Sequence, residues 1–263
     1  RAMYDDYFSR VAKRYGESFA MFDVVNEAFL HKAFPLYTKE VEYVDWAFEN
    51  AQSKFPKSCR LCINEATGVN GTGATADRYY NLVKRIRDKG IRLDGVGFQF
   101  HLFSNQALAD VLSAKSLTPQ KLRATYDRMA TLGVPMYITE ITIPSTLLPG
   151  KAGEELQAEA ATELYRFWFS RPEIHGITWW NLMDGAAFAN EDTVKGALLD
   201  DFAREKVAYQ ALRDLITREF NTSFRTKTDA EGRVSFRGFR GTYTISFKNA
   251  AGNGLFSRTF ELR

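Results

Sequence analysis

The chain has 263 residues, 45% of them hydrophobic and 25% charged, an ordinary globular mix with room for one large α/β domain or one domain plus a small appendage. The net charge of +3, with both signs scattered, excludes a basic stripe for nucleic acid. No apolar run approaches the length needed to cross a membrane.

From the start, Met3, Tyr7, Phe8, Val11 and Tyr15 form a helical stripe that Gly16 ends. No signal peptide is visible, but a helix is under way from Arg1. The expectation is a chain that begins inside a longer protein, so this absence says nothing of location. Phe19 to Val25 is a short apolar run that ends on Asn26 and Glu27. A second helix carries Val41, Val44, Phe48 and Ala51, and Pro56 stops it. Arg60 to Ile63 reads as a strand ending on Asn64 and Glu65.

A Gly-rich loop, Gly68 to Ala74, leads to a third helix with Tyr79, Leu82, Val83 and Ile86, closed by Gly90. Gly95 to Phe98 is a strand ending on Gln99 and His101. Thr118-Pro119 pairs an N-cap residue with Pro at the first helical position, and that helix runs to Gly133. In Val134 to Ile143 a β-branched run, bounded by Gly133-Val134-Pro135 before it and Pro144-Ser145 after it, carries Glu140. A carboxylate at the end of a buried strand is costly unless a site uses it. Glu154 to Ser170 is helical, His175 to Trp180 is a strand, and Glu205 to Glu219 is the last helix.

Regular alternation of helices with apolar strands, in units of roughly 35 to 40 residues, implies a parallel sheet covered by helices. A doubly wound dinucleotide-binding sheet should carry a G-x-G-x-x-G turn, and the sequence has none. Every strand instead ends in polar or aromatic groups, the pattern of a (β/α)8 TIM barrel whose chemistry gathers at the C-terminal strand ends. The expected fold is therefore an α/β barrel over residues 1–220, N-terminally incomplete in this chain, with three strands preceding residue 1. After residue 220 the period changes to alternation at Val234–Arg237, Tyr243–Phe247 and Phe256–Phe260, with turns at Asp229–Gly232 and Asn249–Gly254. Residues 221–263 are thus expected to form a small antiparallel β appendage packed on the barrel.

Cys59 and Cys62 have metal-like spacing, but no second pair follows, and on a strand side chains three apart point to opposite faces. They read as reduced core thiols. Three histidines, His31, His101 and His175, are too few for a His-rich metal site. Glu27 and Glu140 on different strand ends of one barrel suit glycoside hydrolysis, one as acid and the other as nucleophile or base. Glu65 competes for such a role, and a metal-dependent barrel enzyme is the alternative reading. Trp180 can stack on a sugar face, and Asn26, Gln99 and His101 can hydrogen-bond hydroxyls or hold a carboxylate.

Asp23-Val24-Val25-Asn26-Glu27-Ala28 resembles the acid/base motif of glycoside hydrolase family 10 xylanases. Asp94 to Leu102 resembles that family's sixth strand, and Ile138-Thr139-Glu140-Ile141 its nucleophile strand. Ile177 to Trp180, with Asp184 and Phe188, resembles its eighth strand and the loop after it; Ala208 to Leu212 is similar to its final helix. Arg237 to Tyr243 resembles a β appendage found on some members.

The resemblance implies barrel strands 4 to 8 of a retaining endo-1,4-β-xylanase, with a related β-1,4-glucanase or a catalytically impaired xylan-binding remnant as alternatives. By it, Glu27 is the general acid/base and Glu140 the nucleophile, with carboxylates about 5 to 5.5 Å apart. Asn26, Gln99, His101, Trp180 and Phe188 bind substrate, and Asn64, Thr142 and Asp184 support them. No cofactor or metal is implied. Xylan or xylo-oligosaccharide is the expected partner, along with the missing N-terminal half of the barrel. Some members carry a carbohydrate-binding insertion after the third strand, and a chain starting there is the second half of an interrupted barrel. A polymer substrate implies a secreted, periplasmic or cell-surface setting.

Three places depart from the family pattern. The usual Asp two residues after the nucleophile is Thr142, the Trp that often ends the eighth-strand loop is Phe188, and the usual Asn-Asp-Tyr is Asn64-Glu65-Ala66, which removes an aromatic platform on the leaving-group side.

Overall fold

The computed structural model describes residues 1–248, 252 and 255–262. They form two compact units, Arg1–Tyr209 and Gln210–Arg263. The first opens with α1 (Ala2–Tyr15), β1 (Met21–Asn26), α2 (Tyr43–Gln52) and β2 (Arg60–Glu65). A 3₁₀ turn at Thr67–Asn70 leads to α3 (Ala74–Asp88) and β3 (Gly95–His101). Then come α4 (Asn105–Leu112), α5 (Pro119–Ala130), β4 (Met136–Thr142), α6 (Lys151–Phe169) and β5 (Ile174–Ile177). After a second 3₁₀ turn, Ala189–Val194, helix α7 spans Val207–Asp214.

The five strands are all parallel and lie in chain order, β1-β2-β3-β4-β5. A doubly wound sheet reverses its strand order at a switch point, and this one does not. Sequential order with a helix after each strand is the barrel arrangement.

Alternation along β3 separates the two faces. Phe98 and Phe100 turn to the helices: Phe98 meets Tyr79 of α3 and Tyr126 of α5 edge-on at 5.5 and 5.1 Å, and Phe100 meets Trp168 of α6 at 5.3 Å. All of these rings are buried, and their polar atoms are used. Tyr79 donates to the Gly97 carbonyl at 2.8 Å, Trp168 Nε1 to the Tyr126 hydroxyl at 3.2 Å, and Tyr126 to Asn70 Oδ1 at 2.7 Å. Burial pushes the Tyr79 and Tyr126 hydroxyls well above their usual range. The opposite face of β3 is left to Gly97, Gln99 and His101.

The structure differs from the sequence reading in several places. Helix α4 was not expected; Ser104 caps it, its hydroxyl accepting from the Ala107 N–H at 3.1 Å. Strand β5 stops at Ile177, three residues short of Trp180, although the Thr178 and Trp180 amides still bond to Ile138 and Ile141 of β4. In α1 only Phe8 of the apolar stripe is buried, while Met3 and Tyr7 are exposed. Gly16 ends α1 in a right-handed conformation, and it is glycine for want of room rather than for a left-handed cap: a Cβ there would meet the Ala12 carbonyl oxygen at 2.6 Å and Pro56 Cδ at 2.9 Å. Cys59 and Cys62 are buried free thiols, and desolvation pushes Cys62 up to about 12, which keeps it a core sulfur.

In the second unit, β6 (Gly241–Lys248) and β7 (Leu255–Leu262) form one antiparallel pair. Val234–Arg237 is not a strand. Phe236 instead packs its ring on Phe224, Tyr243 and Phe260, which anchors that segment by side chains rather than by a ladder. Of the turn expected at Asn249–Gly254, only Gly252 is among the described residues.

Candidate active site

Strand register brings the predicted polar groups into one row. Asn26 of β1 pairs with Asn64 of β2, Asn64 with Gly97 of β3, and Gln99 of β3 with Glu140 of β4. A register shift lies between β3 and β4: Phe98 pairs with Ile138, and the next residue, Gln99, pairs with Glu140. Strict alternation would send Thr139 and Glu140 to opposite faces. The irregularity lets both reach one amide. Thr139 Oγ1 donates to Asn64 Oδ1 at 2.6 Å, and Asn64 Nδ2 donates to Glu140 Oε1 at 2.7 Å.

Glu140 is 8% exposed and held at both oxygens. Its Oε2 lies 3.0 Å from His101 Nε2, and His101 Nδ1 lies 2.9 Å from Thr142 Oγ1. The imidazole is thus strung between β4 residues two apart on one face. Asn26 Oδ1 accepts from Asn64 Nδ2 at 2.9 Å and from Gln99 Nε2 at 3.2 Å, and among the described residues the Asn26 amide N–H₂ has no partner, which leaves it for a ligand. Gly97 is glycine for a local reason: a Cβ there would sit 2.4 Å from Asn64 Oδ1.

Glu27 begins the turn after β1 with φ at 55°, a left-handed conformation uncommon outside glycine and one found at functional sites. Four contacts hold it. Its N–H donates to the Asn64 carbonyl at 2.9 Å, its carbonyl accepts from the Leu30 and His31 N–H groups at 3.1 and 3.4 Å, and its Oε2 lies 2.9 Å from His31 Nε2. His31 was not among the sequence candidates; its i+4 spacing from Glu27 was the available signal.

Glu65 does not face this row. It is 1% exposed, and its oxygens accept from the Phe29 and Ala66 N–H groups at 3.2 and 3.3 Å. Desolvation, against the pull of those N–H groups, raises its carboxyl to about 7. It ties down the turn that carries Glu27.

Trp180, 46% exposed, stands edge-on to His101 at 6.0 Å. Its Nε1–H and the Asn181 side-chain amide both donate to Glu191 Oε2, at 2.9 and 3.0 Å, which fixes the indole. Glu191 was missed from the sequence, since nothing local distinguishes it from a surface carboxylate. Phe188 is 79% exposed, and among the described residues it has no ring contact with the site. Asp184 lies apart from the row. It is buried, with Oδ2 2.9 Å from Lys206 Nζ and Oδ1 accepting from the Ala197 N–H at 3.1 Å, so it locks the loop that follows Trp180.

A parallel, sequential barrel sheet with two carboxylates on separate strand ends defines a protein of the glycosidase-barrel class. The chain belongs to glycosyl hydrolase family 10, whose family model matches residues 1–215. Endo-1,4-beta-xylanase B of Thermotoga neapolitana is 24% identical over 222 residues, covering 81% of this chain and 60% of that protein. Anti-sigma-I factor RsgI6 of Acetivibrio thermocellus is 27% identical over 217 residues, covering 82% of this chain and 25% of that protein. Among solved structures, native xylanase 10B from Thermotoga maritima superposes with a TM-score of 0.65 at 25% identity, covering 82% of this chain and 65% of that one. Xylanase 10B from Thermotoga petrophila, solved with xylobiose, matches to the same extent. The chain therefore spans just under two thirds, or less, of the length of these proteins.

Proposed function

We propose that this chain carries the acid–base and nucleophile side of a retaining endo-1,4-β-xylanase. The observation that bears most weight is the setting of Glu140, a buried carboxylate at a barrel strand end held by Asn64 on one oxygen and His101 on the other. A carboxylate fixed in this way costs no reorganisation when it meets a developing oxocarbenium charge. In this reading Glu140 attacks the anomeric carbon while Glu27 protonates the departing glycosidic oxygen. Glu27, then a carboxylate, takes a proton from the water that hydrolyses the glycosyl-enzyme. The Asn26 N–H₂ orients a sugar hydroxyl, with Gln99 holding Asn26 Oδ1, and Trp180 is the floor for one pyranose. Three more strands bridge β5 to β1 in a complete barrel.

The similarity to proteins named endo-1,4-beta-xylanase supports xylan as substrate. The expected setting is secreted, periplasmic or cell-surface, because a polysaccharide does not cross a membrane by itself, and cell fractionation tests it. Reducing-sugar release from xylan and from β-glucan tests the activity, and the anomer first released tests retention. Glu140→Ala and Glu27→Ala should each lower xylan cleavage by roughly 10⁴-fold or more. Near-normal rates in either variant would sink the assignment. The second reading is glycan binding without turnover, favoured by the similarity to a protein named as an anti-sigma factor. It requires xylan binding by a wild-type chain that releases no product.

A further inference from the structure

Phe103 follows β3 by two residues and is 42% exposed. An apolar ring left singly in solvent is normal on any protein and explains itself. This ring is different in where it lies. It stacks on His101 with centroids 4.4 Å apart and planes inclined by 16°. His101 is the imidazole that contacts Glu140 Oε2, so Phe103 stands one ring away from the nucleophile, and the face that His101 does not cover is left for a ligand. Its backbone is held on both sides. The Leu102 N–H donates to the Thr142 carbonyl at 2.8 Å, and Ser104 caps α4. A ring already immobilised loses little entropy when a ligand lies on it.

Trp180 cannot share a ligand ring with it. Trp180 is inclined by 73° to His101, and Phe103 by only 16°, so the two aromatic planes are steeply crossed. One pyranose cannot lie flat on both. At the neighbouring strand end, after β2, Ala66 offers no ring.

We propose that Phe103 is a second sugar platform, stacking a pyranose of the bound glycan other than the one on Trp180. It rests on the reading of the site as glycan-binding given above. The platform adds affinity only for chains long enough to place a sugar on it, so it sets how the site ranks oligosaccharides by length.

The test is the affinity of the full chain for xylose through xylopentaose, by calorimetry in a Glu140→Gln background that blocks turnover. In Phe103→Ala the expected result is a loss of about 3- to 10-fold that sets in at one chain length and persists above it. Phe103→Trp, which keeps a flat face, should retain the wild-type length dependence. A loss by the same factor at every length would overturn the proposal, because a ring that only props His101 weakens every ligand alike. Unchanged affinities in Phe103→Ala would overturn it too. If the Glu140→Gln chain with Phe103 intact binds no xylo-oligosaccharide, the functional reading falls and the platform with it. Binding there, with a uniform loss in Phe103→Ala, removes the platform alone.

Discussion

Asn64 and Glu140, 76 residues apart in the chain, meet through one hydrogen bond of 2.7 Å from Nδ2 to Oε1. The same amide accepts from Thr139 and donates to Asn26, so three strands converge on it.

Removing that amide tests how far positioning matters. A hydrogen bond to a charged group is worth about 1.5 to 3 kcal/mol. Asn64→Ala should therefore lower kcat/KM on xylan by about 10- to 100-fold. Asn64→Asp should lower it further, since it keeps the shape but sets a second carboxylate against Glu140. Steady-state kinetics of both variants checks the order, and an Asp variant more active than the Ala variant would contradict it.

Thr142 offers His101 Nδ1 a hydroxyl without charge. A carboxylate there would favour the imidazolium form, and a cation 3.0 Å from Glu140 favours its ionised state. Thr142→Asp should move the acidic limb of the kcat/KM profile to lower pH. An acidic limb identical to that of the wild type would refute the link.

Glu65 makes stability fall with pH. Its folded value of about 7 lies above the ordinary 4.5, so between those pH values the folded protein keeps a proton that the unfolded chain has lost. The penalty grows from about pH 4.5 and is complete above about pH 7, at about 3 kcal/mol. Glu65→Gln should flatten this slope. Urea midpoints at pH 5 and pH 8 measure it, and an equal drop in both proteins would count against Glu65 as the source.

The buried pair of Asp184 and Lys206 carries a different risk. Lys206 Nζ also reaches Ser145 Oγ at 3.1 Å and the Lys195 carbonyl at 2.6 Å. Asp184→Asn leaves an uncompensated buried ammonium and should cost about 3 to 5 kcal/mol in chemical denaturation. Asp184→Leu combined with Lys206→Met should cost less than the single change, because no charge is then stranded.

The strands and most helices were legible in the chain itself, since β-branched runs bounded by Pro and Gly and apolar stripes at helical spacing are local signals. So was the gathering of polar residues at strand ends, which made Asn26, Glu27, Gln99, His101 and Glu140 candidates. Helix α4 escaped because it is short and only Leu108 of it is buried. Strand β5 ends at Ile177 although Trp179 and Trp180 continue its apolar run, and beyond it the Thr178 and Trp180 amides keep single bonds to β4.

What the tertiary structure alone decided is which strand ends touch. Two carboxylates in a sequence do not say which one is sealed behind backbone N–H groups, as Glu65 is, and which one lines the open row, as Glu140 does. That follows from parallel register and from a single irregularity beside Thr139, and neither leaves a mark in composition or period. The partnerships of Trp180 with Glu191, of Asp184 with Lys206 and of Phe103 with His101 depend on loop paths fixed by packing. Side-chain type is written in the chain, but distance is set by the fold.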